Sequence, residues 1–488
     1  MIGTVGRYLV WIFCFCWLMC GPVFAAPSHD LTPERLSAID HYVDAEMKRE
    51  HVVGIAVGIY SRGQILLAKG YGLANIELNV PVKAETIFQS GSVGKQFTSA
   101  AVMMLVEEGK IGLDDSIVKY FPNAPPSWQA IRVKNLLSHT SGLSEYETDE
   151  RAGPAGPFYI RLDFTEDELV NKVEALPIEF KPGDKWDYRN TNYLLLGVII
   201  HKVTGSFYAD YLRQRIFTPL GMSSTRLISE ADIIPNRSSG YETKGDKIQN
   251  QSWVSPTFNS TADGALYFNV LDLAKWDAVL YGTKLLKQSS LDQSWTVFLL
   301  NDGKPNNSNY GFAWEITSVN GHKQIDHGGA WQGFRCHLLR YPDDSMTVAV
   351  LANSDSASPE QFAHVIAGIV EPVLELPKLV AIEDKEPESA RRLGVLLDQI
   401  VAGKDVKDQL SPKLVALFTP EVHESVVREL QLVWPADAVT LVSRTESDGI
   451  KVSRYRIGRG NERRIVRFGL GADGKVATMR VQPDPDVR

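Results

Sequence analysis

The sequence predicts a mixed α/β fold of the α+β type, in which an antiparallel sheet flanked by terminal helices lies beside an all-helical subdomain. Three patterns support this prediction. β-rich runs follow a first amphipathic helix, residues 88–280 are mostly helical with loops rich in glycine and proline, and four closely spaced strand candidates come after them. Strands at both ends of a helical insert imply one sheet built from distant segments. A ligand is expected in the cleft between the two halves.

The elements of the sheet half can be taken in order. Residues 32–50 have apolar side chains at helical spacing, and Pro33 lies in the first turn. Residues 52–60 and 64–71 are β-rich, and the short link between them predicts a hairpin. The later strand candidates are residues 310–317, 322–327, 334–341 and 346–352, followed by a helical apolar pattern over 360–374.

The character of the sequence changes after residue 375. The acidic, proline-containing stretch 376–388 predicts a linker. Beyond it we expect one or two helices, over 389–402 and 412–418, and then three or four short strands separated by turns. We therefore predict a separate small α+β accessory domain over residues 389–488, in which no motif carries chemistry.

The N-terminus has the features of a secretory signal peptide, predicted over residues 1–25. Arg7 supplies the positive region, residues 8–19 are almost wholly apolar, and Val23-Phe24-Ala25 offers small residues at a cleavage site. We expect cleavage near Ala25, which gives a periplasmic or secreted protein with no stable membrane span. An uncleaved anchor is the alternative, but the apolar stretch is short for a span of about 20 residues. Of four cysteines only Cys336 lies beyond this segment, where a packing role is expected.

Composition narrows the classes of partner. The 488-residue chain has a formal net charge of −8 and contains neither a basic block nor interleaved aromatic and basic residues, so nothing points to a nucleic-acid partner. No paired cysteines and no His-x-x-x-His pattern point to a metal site, and no cofactor is expected. The expected partner is a small-molecule or peptide substrate, and no feature indicates a particular oligomeric state.

The pentapeptide Gly91-Ser92-Val93-Gly94-Lys95 opens an apolar helix and carries a hydroxyl and an amine three residues apart. Residues i and i+3 share one face of a helix, so Lys95 can lie beside the Ser92 hydroxyl. A lysine can then act as a base toward serine if burial keeps it neutral. The pattern alone is not specific, because Ser116 and Lys119 repeat it in what we interpret as a turn.

Two further motifs follow that supply other groups which acyl transfer requires. Tyr188 and Asn190 form a Tyr-x-Asn pattern in a loop that enters a helix, and they supply an acid/base group and an amide. His327 and Gly329 form the chain's single His-x-Gly pattern, at the end of a strand candidate. Glycines on that strand let a substrate backbone approach closely. The structural alternatives are a core aromatic for Tyr188 and a helix cap for Asn190.

Residues 31–374 resemble the serine beta-lactamase-like hydrolases, the group of class C beta-lactamases, DD-peptidases and related esterases. The three motifs carry the resemblance, together with residues 88–122, the loop LLSHTSGL at 136–143 and FTPLGM at 217–222. Ala262-Asp263-Gly264 stands where the family usually has a plainer glycine pair. The resemblance implies a beta-lactamase-like serine hydrolase domain over residues 30–375.

The resemblance also implies roles for single residues. Ser92 would be the nucleophile of an acyl-enzyme, Lys95 would take its proton, and Tyr188 would pass that proton to the leaving group and help to activate water. The further implied groups are Asn190 for the substrate amide, the N–H groups of Ser92 and Ala330 for the oxyanion hole, and His327 hydrogen-bonding toward Tyr188 or a substrate carboxylate. His139, in LLSHTSGL, is expected to have a structural role. Asp326 is expected to pair with His327 or to end the strand.

One departure from the family bears on the substrate. Lactam-hydrolysing class C enzymes usually have Lys-Thr-Gly where this chain has His327-Gly328-Gly329. Because histidine is only partly charged near neutral pH, this argues against efficient beta-lactamase activity. The expected function is hydrolysis of a D-amino-acid peptide or an ester, or weakly of a beta-lactam, through an acyl-enzyme. The alternatives are a penicillin-binding sensor or inactive scaffold that acylates without turnover, and a pure binding protein.

Overall fold

The computed structural model describes residues 29–244, 247–418, 420–447 and 450–484. The predicted signal peptide, residues 1–25, lies outside the described residues. The described strands are β1 (Gly54–Ser61), β2 (Gln64–Asn75), β3 (Val80–Pro81), β4 (Phe88–Gln89), β5 (Arg226–Leu227), β6 (Tyr241–Lys244), β7 (Lys247–Asn250), β8 (Leu266–Phe268), β9 (Glu315–Val319), β10 (His322–Trp331), β11 (Phe334–Tyr341), β12 (Met346–Ala352), β13 (Ala438–Ser447), β14 (Ile450–Arg459), β15 (Glu462–Leu470) and β16 (Val476–Pro483).

The described α-helices are α1 (Pro33–Arg49), α2 (Lys95–Glu107), α3 (Val133–Leu137), α4 (Asp149–Ala152), α5 (Glu166–Glu174), α6 (Asn190–Thr204), α7 (Tyr208–Leu212), α8 (Thr218–Leu220), α9 (Val270–Val279), α10 (Gln288–Ser294), α11 (Pro359–Val370), α12 (Pro387–Val401), α13 (Pro412–Leu417) and α14 (Pro420–Val433). Short 3₁₀ turns cover Gly91–Gly94, Ile117–Lys119, Pro126–Ala130, Pro372–Leu374 and Lys407–Gln409, and Arg213–Phe217 is a π-helical turn. Among these elements no helix is long and apolar enough to cross a bilayer.

The large sheet is antiparallel and joins the two ends of the main domain. Its strand order is β3-β2-β1-β12-β11-β10-β9, so β1 pairs with β12, nearly 300 residues later. Side chains of β1 alternate between two cores, as the strand period requires: Ile55 and Val57 pack beneath α1 and α11, whereas Ala56 faces the helical half. The predicted antiparallel sheet with terminal helices is confirmed.

The helical half is built around α2. Its first eleven residues, Lys95 to Leu105, are buried, which is the pattern of a helix surrounded on all sides. Helices α6 and α7 pack against it, and Phe97 lies 4.5 Å from the ring centre of Trp276 on α9. The 3₁₀ turn before α2 lies against β10 and β11, so the start of α2 lies at the boundary between the sheet and the helices.

The C-terminal part has its own sheet and core. Strands β13 to β16 form a four-stranded antiparallel sheet in sequence order, and helices α12 and α14 pack on it around residues such as Leu397 and Phe468. The four strands and the helices α12 and α13 agree with expectation, whereas α14 was not predicted. The division at residues 376–388 stays a prediction. An ion pair links this part to the main domain: Lys413 Nζ, on α13, lies 3.6 Å from Asp187 Oδ2.

Candidate active site

The serine and lysine of the first motif meet at the start of α2. Ser92 lies in the 3₁₀ turn Gly91–Gly94, and Lys95 is the first residue of the α-helix that continues it. Lys95 Nζ is 2.9 Å from Ser92 Oγ. Ser92 is half-buried and Lys95 is fully buried, so the hydroxyl faces the cleft while the amine lies behind it. The second Ser-x-x-Lys is a turn, as expected: the Lys119 amine instead contacts Asp115, at 2.8 Å.

The other hydrogen bonds of Lys95 orient its amine. Nζ donates to Asn190 Oδ1 at 2.8 Å and to the Asp263 carbonyl oxygen at 2.5 Å. Both oxygens only accept hydrogen bonds, so they take the two N–H groups of a neutral amine and leave its lone pair for the Ser92 hydroxyl. Burial lowers the pKa of Lys95 to about 8, against the opposing effect of the nearby carboxylates. A substantial fraction of the amine is therefore neutral near pH 8.

Tyr188 presents its hydroxyl to the same place. Its ring centre lies 4.9 Å from Lys95 Nζ. The hydroxyl oxygen is buried and makes no hydrogen bond of standard geometry among the described residues. Burial raises the pKa of Tyr188 well above its usual value, and only the neighbouring Ser92 hydroxyl acts against that rise to a notable degree. The resting group is a phenol, which can give a proton away.

Asn190 connects the lysine to two acidic side chains. It begins α6, and its Nδ2 donates to Glu147 Oε2 at 2.8 Å, which fixes Oδ1 toward Lys95. Its backbone N–H donates to Glu145 Oε2 at 2.6 Å. A carboxylate that receives the first N–H of a helix favours its start. The backbone N–H of Asn190 and both polar atoms of its side-chain amide are therefore hydrogen-bonded.

Three acidic residues near the lysine were missed by sequence reasoning: Asp263, which is buried, and Glu145 and Glu147, which are partly buried. The Tyr146 hydroxyl, between two of them, lies 2.8 Å from Asp263 Oδ2 and 3.0 Å from Glu147 Oε1. Burial raises the pKa values of Glu145 and Glu147. Two signals in the sequence pointed to the cluster: Glu145 lies two residues after the LLSHTSGL loop, and Asp263 is the departure from the family's glycine pair.

Strand β10 runs along the 3₁₀ turn Gly91–Gly94 at very close range. A Cβ atom on Gly91 would come within 2.3 Å of the Ala330 nitrogen, and one on Gly329 within 2.2 Å of the Ser90 carbonyl oxygen. Gly91 also has a φ of +46°, which glycine adopts without strain. The backbone of Ala330 and that of Ser92 therefore flank one small, open cavity. Its lining includes Gly91, Ser92, Glu147, Asn190, Asp263, Ala330 and Trp331.

His327 is fully engaged with other partners in the resting structure. Its Nε2 lies 2.9 Å from the Tyr310 hydroxyl, and its Nδ1 lies 2.6 Å from the Gly328 carbonyl oxygen. The carbonyl only accepts, so Nδ1 carries the proton and Nε2 accepts from Tyr310. Burial, with Lys95 nearby, lowers the pKa of His327 to about 4. The ring is thus neutral, and it bonds to Tyr310. The ring centre of Tyr188, one of the two expected partners beside a substrate carboxylate, is 6.2 Å away.

Asp326 and Cys336 lie next to the site without joining it. Asp326, on the opposite face of β10, accepts from Gln324 Nε2 at 2.6 Å and lies 3.5 Å from His337 Nε2, so it does not pair with His327. The Cys336 thiol donates to the Ser90 carbonyl oxygen at 2.8 Å, and burial raises its pKa, which fits the expected packing role. No group of three or more metal-ligating side chains comes together within the described part of the chain.

The arrangement has recognisable relatives. The family profile described as Beta-lactamase matches residues 39–368. Penicillin-binding protein 4* of Bacillus subtilis (strain 168) is 30% identical over 313 residues, which cover 60% of this chain and 66% of that protein, so the match spans slightly less than two thirds of the relative.

Two solved structures share the fold. The octameric penicillin-binding protein homologue from Pyrococcus abyssi superposes with a TM-score of 0.61 and 23% identity, over 91% of this chain and 99% of that one. The D-amino acid amidase from Ochrobactrum anthropi SV3, complexed with L-phenylalanine, superposes with a TM-score of 0.58 and 25% identity, over 70% of this chain and 97% of that one. The resemblance inferred from the motifs is confirmed, and this chain belongs to the beta-lactamase family.

Proposed function

We propose that the protein hydrolyses an amide or ester through an acyl-enzyme on Ser92. The observation that carries the proposal is the 2.9 Å contact between Ser92 Oγ and the buried Lys95 Nζ, whose other N–H groups are taken by Asn190 and Asp263. A base held in this way is aimed at the nucleophile before substrate arrives.

In the acylation step, Ser92 Oγ attacks the substrate carbonyl carbon while its proton moves to Lys95 Nζ. The new C–O bond leaves an oxyanion, which the N–H groups of Ser92 and Ala330 would receive. When the bond to the leaving group breaks, Tyr188 gives its hydroxyl proton to that group and regains one from Lys95. Asn190 and the Gly329 backbone would position the substrate. The acyl group is then an ester on Ser92.

Deacylation repeats these transfers with water. A water molecule attacks the ester carbonyl carbon and gives a proton to Tyr188, which passes its own hydroxyl proton to the neutral Lys95 Nζ, 4.9 Å from its ring centre. The bond to Ser92 Oγ breaks, and the serine takes a proton back. The product is a carboxylic acid, and the side chains return to their starting protonation states.

We further propose that the substrate has an ammonium group near the scissile carbonyl and no carboxylate there. The neutral His327 supplies no cation for a carboxylate, and both of its nitrogens are engaged. Glu147 and Asp263 line the cavity, and burial raises the pKa of Glu147, so an incoming cation would favour its ionised form. D-amino-acid amides and peptides with a free amine fit this chemistry, in keeping with the name of the related amidase.

A matched substrate pair tests the proposal. D-phenylalanine p-nitroanilide and its N-acetyl derivative have the same leaving group and differ in the amine. We expect kcat/KM to be at least about tenfold higher for the free amine, equivalent to about 1.4 kcal/mol. Equal or higher kcat/KM for the acetylated compound would refute the charge preference, and L-phenylalanine p-nitroanilide tests stereochemistry. A lasting adduct on Ser92 without turnover would favour the sensor instead.

The location of the protein is also a proposal. The charged start, apolar stretch and small residues at 23–25 support export with cleavage near Ala25 into the periplasm or medium. N-terminal sequencing of the protein from an expressing cell's extracytoplasmic fraction tests this. A mature chain beginning at or near residue 26 is expected, and an intact N-terminus would contradict cleavage.

A further inference from the structure

His139 is a buried histidine that the catalytic scheme does not use. It is completely inaccessible to solvent, and its φ of +56° places it in the left-handed region that histidine tolerates better than most residues. Its carbonyl oxygen accepts from the Asp187 N–H at 3.0 Å, and its Nδ1 accepts from the Arg189 N–H at 3.2 Å. His139 therefore holds the backbone on both sides of Tyr188.

The ring of His139 also contacts Tyr188 directly. The two ring centres are 4.2 Å apart with 33° between the planes, the closest of the ring contacts that His139 makes. Tyr193 and Tyr310 lie on its other sides, at 5.1 and 5.0 Å. Because protein interiors are close-packed, the His139 ring limits how far the Tyr188 ring beside it can shift.

The protonation state of His139 makes its Nδ1 the acceptor for the Arg189 N–H. Asn192 Nδ2 also approaches Nδ1, at 3.1 Å, and it can only donate, because its Oδ1 already accepts from the Ser141 hydroxyl. Nδ1 therefore keeps its lone pair and Nε2 carries the proton, with no partner among the described residues. Burial holds the pKa of His139 well below its usual value, so the acceptor persists at neutral pH.

We infer that His139 is a positioning residue, which holds the Tyr188 hydroxyl at the distance from Ser92 and Lys95 that proton transfer requires. The inference rests on the proposed role of Tyr188 in catalysis. A displacement of about 1 Å at a reacting group can lower a rate about 10²-fold. Loss of the Nδ1 acceptor should therefore lower kcat and leave KM nearly unchanged.

Two substitutions separate this role from simple packing. In His139→Asn the side-chain oxygen occupies the place of Nδ1 and can still accept from Arg189, and asparagine tolerates a positive φ. In His139→Gln the amide reaches the place of Nε2 and leaves Arg189 N–H unpaired. Both variants lose the ring. The same pair of changes at His201, a partly exposed residue that contacts Glu166 at 3.0 Å, is the control.

The measurement is kcat and KM with a p-nitrophenyl ester, per active site titrated with an irreversible serine reagent, which removes any effect of misfolded protein. We expect kcat of His139→Gln to be about 10- to 100-fold below that of His139→Asn, with similar KM, and no such difference at His201. Equal kcat per titrated site would overturn the inference. Tyr188→Phe in the same assay separates the two proposals. If Tyr188→Phe retains full kcat, the proposed role of Tyr188 fails. If Tyr188→Phe loses most of its kcat but the two His139 variants have equal kcat, only the positioning role of His139 is refuted.

Discussion

Lys95 Nζ lies 2.9 Å from Ser92 Oγ, and the lysine has no exposed surface. The short spacing in sequence brings the groups together, whereas burial by the rest of the fold makes the amine a usable base. The pKa of Lys95, lowered to about 8, is the property through which the fold acts on the chemistry.

The first prediction concerns the pH dependence of acylation. A lysine accepts a proton only when neutral, so kcat/KM for an uncharged p-nitrophenyl ester should rise with pH through about 8, the pKa of Lys95. An ester without an amine is used because an amine-bearing substrate titrates in the same range. Lys95→Ala should lower kcat/KM about 10²- to 10⁴-fold. A flat profile between pH 6 and 9 would contradict the base assignment.

The second prediction concerns Glu147. Its charge raises the pKa of Lys95, so Glu147→Gln should move the rising limb of the same profile to lower pH. The variant should also raise KM for D-phenylalanine p-nitroanilide more than for the ester, because only the former has an ammonium group. Glu388→Gln, at an exposed position that pairs with Arg391, is the control. A limb that stays in place or moves to higher pH would be inconsistent with the electrostatic account.

The third prediction separates activity from stability at two tyrosines. Tyr188→Phe should lower kcat about 10²- to 10⁴-fold and leave the free energy of unfolding nearly unchanged, because the hydroxyl makes no standard hydrogen bond. Tyr60→Phe should lower the free energy of unfolding and leave kcat unchanged. The Tyr60 hydroxyl donates to the Val270 carbonyl oxygen at 2.5 Å, and neither residue lines the cavity beside Ser92, so loss of this hydrogen bond should cost about 1 kcal/mol without changing kcat. Urea denaturation and ester hydrolysis measure both quantities, and an inactive Tyr60→Phe would contradict the assignment.

The fourth prediction tests the buried ion pair that joins α9 to the sheet. Asp277 Oδ1 accepts from Arg340 Nε at 2.7 Å and from the Thr347 hydroxyl at 2.6 Å, and both charged side chains are fully buried. Asp277→Ala leaves the guanidinium without its charge partner and should lower the free energy of unfolding by about 3–5 kcal/mol. The double variant Asp277→Ala/Arg340→Met should recover much of that loss. A single variant within 1 kcal/mol of the parent would show that the pair is not required.

Local patterns in the sequence predicted a good part of this fold and site. The Ser92–Lys95 contact follows from helix spacing, and strand β12 follows from an almost continuous apolar run. The partner of His327 could not be predicted in this way. The sequence predicts a strand from residue 310, but β9 begins at Glu315, after Ala313 with a φ of +66°. Tyr310 thus lies before the strand, in an isolated β-bridge with Glu315, and its hydroxyl reaches His327 from there.

The contacts among the acidic residues near Lys95 could not be predicted from local sequence patterns either. Tyr146 and Asp263 are 117 residues apart, and their hydrogen bond depends on how two loops pack against α2 and α6. No local pattern encodes such a contact. The role of His139 is equally non-local, because its three contacts with residues 187–189 span about 50 residues of sequence.

The central claim is that Ser92 forms the acyl-enzyme. Intact-mass spectrometry of the protein quenched in acid during turnover of an ester, followed by peptide mapping, tests it most directly. We expect one acyl group on the peptide that contains Ser92. Tyr188→Phe should carry more of this acyl-enzyme if the variant is slowed mainly in deacylation. Ser92→Ala should carry none and should also be inactive. An acyl group on another residue, or turnover that survives Ser92→Ala, would contradict the account.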